Sequence, residues 1–239
     1  PYNYPLNETF TTLIPALITG NVVIFKPPRL GVLLHRPVLK VLQKVFPAGV
    51  VNTVYGEGQK VIQPLMESGK IDVLAFIGSS KVADILKKSH PQPHRLHTIL
   101  GLEAKNPAII FNKCDIDKTV SECVKGTLSY NGQRCTALKI LFVEREISDI
   151  FAKRMSKAVN NLRIGLPWQN EADITPLPET SKSQYLTGLI DDAKRHGAKV
   201  INQYGGEFYK TYFKPAVLYP VNSNMKVYRE EQFGPVIPI

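Results

Sequence analysis

Apolar positions follow two rhythms along this chain: short continuous runs, and longer stretches in which they return every three or four residues. The second rhythm predicts amphipathic helices, and the first predicts strands buried on both faces of a parallel sheet. Thr11 to Thr19 reads as a helix stopped by Gly20, with Pro15 in its first turns. Val22 to Phe25 reads as a strand, and Leu33, Leu34, Val38, Leu42 and Val45 then mark a helix ending at Pro47-Ala48-Gly49. The alternation repeats: a strand from Val50 to Tyr55, a helix opened by Gly56-Glu57-Gly58 and running to Glu67, and a strand from Val73 to Ile77. A Gly78-Ser79-Ser80 turn, a helix from Lys81 to Lys88 and a strand from Arg95 to Leu100 follow.

Strands alternating with helices imply right-handed βαβ units. Residues 1–102 therefore read as part of an open, Rossmann-like nucleotide-binding domain. Residues 103–239 read as a second, partial α/β unit. Its predicted parts begin with a strand at Ala108 to Phe111 and a helix capped by Asp115 or Asp117 that runs toward Tyr130. A strand over 138–143, an amphipathic helix from Ser148 to Leu162 and a Pro-rich extended loop from Gly165 to Glu179 come next. A helix from Ser181 to His196, closed by Gly197, leads into alternating strands and loops.

Composition narrows the function classes. The chain has 239 residues, is 44% hydrophobic and carries a net charge of +10, enough to bury a sizeable core. The 30 Lys and Arg residues are scattered, so nucleic-acid binding is not expected. No apolar run approaches the ~18 residues of a membrane span. Cys114, Cys123 and Cys135 contain no CxxC spacing, which argues against a disulfide framework or a metal site and for a reducing, cytoplasmic setting.

One cysteine stands apart. Cys135 follows Gly132-Gln133-Arg134 at the end of a helical segment and precedes a strand-like run. A thiol at such a junction can face a cleft, and the Arg134 cation favours the thiolate that attacks. Cysteine is equally at home as a small core residue. Elsewhere, Lys26 sits at the C-terminal end of a predicted strand, where open α/β sheets bind their ligands. Gly56 and Gly58 form a GxG that also suits an ordinary strand-to-helix turn. Ser79 at a helix start can donate to a pyrophosphate oxygen or simply cap the helix.

Gly132-Gln133-Arg134-Cys135 resembles the nucleophile motif of the aldehyde dehydrogenase superfamily. Pro1-Tyr2-Asn3-Tyr4-Pro5, Phe25-Lys26-Pro27-Pro28, Phe76-Ile77-Gly78-Ser79 and Glu230-Glu231-Gln232-Phe233-Gly234-Pro235 resemble other motifs of that family, in its order and at similar spacings. Arg134-Cys135-Thr136 and Asp173-Ile174-Thr175-Pro176-Leu177 resemble its NADP-dependent, non-phosphorylating triose-phosphate branch. The resemblance implies an aldehyde dehydrogenase fold and a chain that is a fragment, homo-oligomeric when full length. It implies Cys135 as nucleophile and Asn3 as oxyanion donor, although an Asn between aromatics also forms turns. Lys26 and Arg29 are implied for an NADP 2′-phosphate, with NAD as the alternative cofactor, because relatives that prefer NAD commonly carry a carboxylate at the Arg29 position. Glu231 and Phe233 are implied for the nicotinamide ribose, and Tyr4, Arg134 and Thr136 for an anionic aldehyde.

The implied reaction is oxidation of a small phosphorylated aldehyde, such as glyceraldehyde 3-phosphate, through a cysteine thioester. Another aldehyde, release to coenzyme A, or a non-catalytic nucleotide-binding role are the alternatives. The family's usual Leu-Glu-Leu-Gly-Gly-Lys, whose Glu is the general base, is here Leu100-Gly101-Leu102-Glu103-Ala104-Lys105. Ungapped alignment on Lys105 puts Gly101 at the base position, where no proton can be taken, and a short gap puts Glu103 there, so Glu103 is the candidate base.

Overall fold

The computed structural model describes residues 1–239, which divide into two compact units, Pro1–Glu103 and Ala104–Ile239. In the first unit, helix α1 (Asn7–Ile18) starts four residues before the expected Thr11. The added turn, Asn7-Glu8-Thr9-Phe10, is mostly polar and carries no apolar period to read. The hydroxyls of Thr9, Thr11 and Thr12 donate back to the carbonyls of Pro5, Asn7 and Glu8, four residues earlier. Pro15 lies deep in the helix rather than in its first turns, and Gly20 ends it with φ 82° as expected.

Strand β1 (Val23–Phe25) is followed by a 3₁₀ turn at Val32–His35 that runs directly into α2 (Arg36–Val45). Strand β2 (Val51–Thr53) then pairs with β1 in parallel, Val23 opposite Val51. Helix α3 (Gly58–Glu67), strand β3 (Val73–Ile77), helix α4 (Ser80–Ser89) and strand β4 (His97–Gly101) complete the unit. β3 and β4 are parallel, Val73 opposite His97. Each pair with its crossover helix is a βαβ unit, the arrangement the alternation predicted. Met66, Leu74 and Leu86 form a buried cluster joining α3, β3 and α4, with Leu96 and Leu100 packed against it. Each such side chain contributes about 1.5–3 kcal/mol of burial.

The second unit opens with β5 (Pro107–Ile110), α5 (Ile116–Leu128) and β6 (Ile140–Val143), again a parallel βαβ unit with Pro107 opposite Ile140. Asp115 is the helix cap, its carboxylate accepting from the Lys118 N–H at 3.1 Å, and Asp117 lies inside the helix. Helices α6 (Arg145–Asn160) and α7 (Thr180–Arg195) flank a loop closed by a parallel bridge between Ile164 and Ile174. Strand β7 (Lys199–Val200) leads to a two-stranded hairpin of β8 (Phe208–Tyr209) and β9 (Tyr212–Phe213). Strand β10 (Ala216–Tyr219), the short helix α8 (Lys226–Arg229) and β11 (Val236–Pro238) finish the chain.

β10 is the hinge of this unit's packing, pairing in parallel with β11 and antiparallel with β7. Alternation sends successive side chains to opposite faces. Val217 and Ile237 therefore join one buried cluster with Leu141, Phe151 and Met155. Ala216, Leu218 and Val236 join the other with Leu186, Ile190 and Phe213. No helix is long and apolar enough to cross a membrane.

Candidate active site

In the first unit Lys26, Gly56, Ser79 and Glu103 follow the C-terminal ends of β1, β2, β3 and β4 in turn. Lys26 comes directly after β1, half-buried, with its Nζ 3.5 Å from the Pro27 carbonyl. Arg29 lies three residues further on and is exposed. Gly56 follows β2 at φ 134°, and a Cβ there would meet Val61 Cγ2 at 2.7 Å, so only glycine fits between strand and helix. Gly58 is the first residue of α3. Ser79 follows β3 and caps α4, its hydroxyl accepting from the Val82 N–H at 3.4 Å.

Glu103 follows β4 and turns its carboxylate onto the start of α4. The Ser80 N–H lies 2.9 Å from both carboxylate oxygens, and the Ser80 hydroxyl donates to Oε2 at 2.5 Å. Slight burial pushes this carboxyl up, but the Ser80 hydroxyl and the backbone N–H donors outweigh it and hold it below the ordinary carboxylate range. Asn3 and Tyr4 are half-buried just ahead of α1. Their segment is anchored by a residue the sequence did not single out. His35, 1% exposed, has its Nε2 3.1 Å from the Pro5 carbonyl and 3.1 Å from Thr9 Oγ1, and its ring lies 5.4 Å from that of Phe25.

In the second unit Cys135 is exposed on a turn of unusual backbone. Tyr130, Asn131 and Gly132 have φ of 55°, 56° and 69° in succession. Non-glycine residues adopt this region at a cost that the surroundings must outweigh. Asn131 does so through hydrogen bonds to Thr175, in the Asp173–Leu177 stretch singled out from the sequence. Gly132 is fixed by contact, because a Cβ there would meet Gly234 O at 2.7 Å and Thr127 O at 2.8 Å. Beyond the turn, Asn106 Nδ2 donates to the carbonyls of Cys135 at 2.6 Å and Ala137 at 3.0 Å. Arg134 is half-buried with its guanidinium 5.6 Å from the Tyr130 ring centre, and Thr136 is exposed.

The structure brings this turn to Glu231 and Phe233. Lys139, 1% exposed, donates from Nζ to the Gly132 carbonyl at 2.9 Å and lies 3.4 Å from Glu231 Oε1. The same ammonium sits 4.9 Å from the centre of the Phe233 ring, whose backbone φ is 40°. Lys182 approaches that ring from 5.7 Å and the Tyr185 ring from 4.5 Å, while the Tyr185 hydroxyl donates to the Glu231 carbonyl at 2.9 Å. Gln232 is buried, donating to the carbonyls of Lys139 and Val236 and accepting from Lys105 Nζ at 2.7 Å.

Charge is costly here. Burial pushes Lys139 down and Glu231 up from their ordinary values, and their mutual attraction offsets only part of it. Burial also lowers Lys105 to about 7, helped by repulsion from Lys139, and lowers Lys182 to about 8. A nucleotide fits this donor set. Glu231 Oε1 is buried with no hydrogen bond beyond its long ion pair to Lys139, which leaves it able to accept from a ribose hydroxyl.

The sequence pattern of the aldehyde dehydrogenase family matches residues 1–239, the whole chain. The chain belongs to the aldehyde dehydrogenase family. It is 37% identical over 239 residues to the NADP-dependent glyceraldehyde-3-phosphate dehydrogenase of Streptococcus equinus, covering 100% of this chain and 49% of that one. The structure of the NADP-dependent glyceraldehyde-3-phosphate dehydrogenase from Bacillus halodurans C-125, complexed with NADP, superposes with a TM-score of 0.90. That match is 34% identical and covers 100% of this chain and 49% of its counterpart. Betaine aldehyde dehydrogenase from Staphylococcus aureus, in complex with NAD+, gives a TM-score of 0.92 at 26% identity, covering 99% of this chain and 48% of that one. The chain thus has the aldehyde dehydrogenase fold and spans about half the length of these relatives. Relatives with different substrates and cofactors superpose equally well, so the fold alone does not select between them.

Proposed function

We propose that this chain contributes part of the cofactor domain and part of the catalytic domain of an NADP-dependent aldehyde dehydrogenase. Its substrate is a small phosphorylated aldehyde such as glyceraldehyde 3-phosphate. The observation that carries this reading is the exposed Cys135 just after a left-handed turn whose Gly132 lies against Gly234, the residue that follows Glu231–Phe233, within a chain 37% identical to an enzyme of that name.

The Cys135 sulfur attacks the aldehyde carbon as the thiolate, forming a thiohemiacetal, and the Asn3 amide donates to the oxyanion that develops. NADP, when bound, supplies the hydride acceptor. Glu231 accepts hydrogen bonds from ribose hydroxyls and Phe233 packs beside the ring. Lys26 and Arg29 pair with the 2′-phosphate, Arg29 as a fork. Gly56 and Gly58 let the backbone approach the dinucleotide, and Ser79 donates to a pyrophosphate oxygen at the start of α4. Tyr4, Arg134 and Thr136 donate to the substrate phosphate. Loss of hydride leaves a thioester on Cys135, which water hydrolyses to the carboxylic acid and free thiol. No carboxylate stands at position 101 to activate that water, and the Glu103 carboxylate is engaged with Ser80, so this release is the slow step.

The test is turnover by the full-length protein on phosphorylated and neutral aldehydes, with NADP+ and NAD+, with coenzyme A present or absent. The expected result is oxidation of glyceraldehyde 3-phosphate with NADP+ preferred, and its loss in Cys135→Ser with cofactor binding retained. Substantial turnover by Cys135→Ser, or preference for NAD+, overturns the corresponding assignment. A thioester formed with coenzyme A moves the reading to an acylating enzyme.

A further inference from the structure

We propose that Lys139 is a positioning residue that locks the Cys135 turn to the Glu231–Phe233 segment, giving both the same buried ammonium as partner. The inference rests on the roles proposed above for Cys135 and Glu231.

A lysine 1% exposed has to be paired on every side, because an unpaired buried charge is far more costly than an apolar side chain in its place. The partners here belong to two segments almost a hundred residues apart in sequence. One is the Gly132 carbonyl at 2.9 Å, three residues before the nucleophile. The others are Glu231 Oε1 at 3.4 Å and the face of Phe233 at 4.9 Å. The main chain of Lys139 repeats the link. Its N–H donates to the Asn106 carbonyl at 2.8 Å, and the Asn106 amide in turn holds the Cys135 and Ala137 carbonyls. Its carbonyl accepts from Gln232 Nε2 at 2.9 Å, between Glu231 and Phe233.

The two segments also meet directly, at the point where Gly132 leaves no room for a Cβ against Gly234 O. Burial, foremost, and Arg134 oppose the ammonium, and Glu231 favours it. Removing its charge leaves the Gly132 carbonyl without its donor and the Glu231 carboxylate without its cation. The turn then loses the tie that sets where the sulfur points. An apolar residue of the same length fills the volume but cannot replace the tie.

The experiment compares Lys139→Met, Lys139→Arg, Glu231→Gln and the Met/Gln double variant in the full-length protein. Alkylation of Cys135 by iodoacetamide without cofactor is followed by peptide mass, beside circular dichroism, kcat and KM for NADP+. Lys139→Met is expected to keep its fold and slow alkylation and kcat by about tenfold or more, as small misplacements of a reacting group do. Lys139→Arg should recover most of the loss. Glu231→Gln should slow alkylation by about threefold, and the double variant should be no slower than Lys139→Met, the non-additivity of two groups acting through one contact. Folded Lys139→Met with an alkylation rate within about twofold of wild type, or effects that multiply in the double variant, overturn the inference. If Lys139→Met does not fold, Glu231→Gln decides, and an unchanged alkylation rate there overturns it. Turnover surviving in Cys135→Ser counts against the proposed function instead, whatever the Lys139 variants do.

Discussion

Asn131 and Thr175 hold each other at both ends of one side chain. Asn131 Nδ2 donates to the Thr175 carbonyl at 3.0 Å and to its hydroxyl oxygen at 3.2 Å, and Thr175 N–H returns a bond to Asn131 Oδ1 at 3.0 Å. The pairing pins a residue of φ 56° that sits four positions before Cys135.

Asn131→Ala is therefore expected to act twice. It strips two backbone groups of Thr175 of their partners, worth about 1–3 kcal/mol each when buried polar groups go unpaired. It also puts alanine in the left-handed region, which adds roughly 1–2 kcal/mol. Urea unfolding should show the loss of stability. Steady-state kinetics should show a fall in kcat with KM for NADP+ little changed, because the turn and not the nucleotide contacts is disturbed. An unaltered kcat would show that the turn keeps its shape without this anchor.

Regular elements were legible where burial and period agree. Val73 to Ile77 is a strand over the residues read from its apolar run, and α1 stops at Gly20, where its end was read. α1 begins before the residues read from the apolar pattern because its first turn, Asn7-Glu8-Thr9, is polar. The Cys135 motif was visible, but the devices that hold it were not. Lys139 falls within the run read as a strand over 138–143, and only the tertiary placement of Glu231 and Gly132 shows what its ammonium meets. Asn106, Gln232 and His35 are likewise defined by partners roughly thirty or more residues away in sequence, a separation no local pattern encodes.

Lys105 makes stability depend on pH in a defined window. Burial, and then repulsion from Lys139, lower its folded-state value from 10.5 to about 7. Between those values the unfolded chain binds more protons than the folded one, so stability rises with pH. Below about 7 both states carry the charge and the full penalty remains. Lys182 rises over the narrower span above about 8. Lys105→Met should therefore flatten the rise between pH 7 and 8 and reduce, without abolishing, the rise above pH 8, where Lys182 still contributes. Urea midpoints of the full-length protein across this range are the measurement. A wild type with no rise there would show that Lys105 stays charged in the fold.

In the proposed reaction, hydrolysis of the thioester is the step at which Leu100-Gly101-Leu102-Glu103-Ala104-Lys105 departs from the family pattern. Glu103 is held by Ser80 and lies below the ordinary carboxylate range, and a carboxylate stabilised as the anion is a weaker base. We expect Glu103→Gln to lower thermal stability by loosening the start of α4. It should leave the slow phase that follows an NADPH burst within about twofold of wild type. A slow phase retarded by tenfold or more would instead make Glu103 the base and show that it leaves Ser80 during turnover. The complementary variant is Gly101→Glu at the position where the family pattern carries its base. Its Cβ would meet Ile77 Cγ1 at 3.3 Å, a contact that a small rotation of Ile77 relieves. General-base assistance is typically worth about 10²–10⁴-fold, so even a poorly aimed carboxylate there should shorten the slow phase measurably. If Gly101→Glu folds and the slow phase is unchanged, release is limited by something other than the missing base, and the order of substrate and cofactor departure becomes the step to measure.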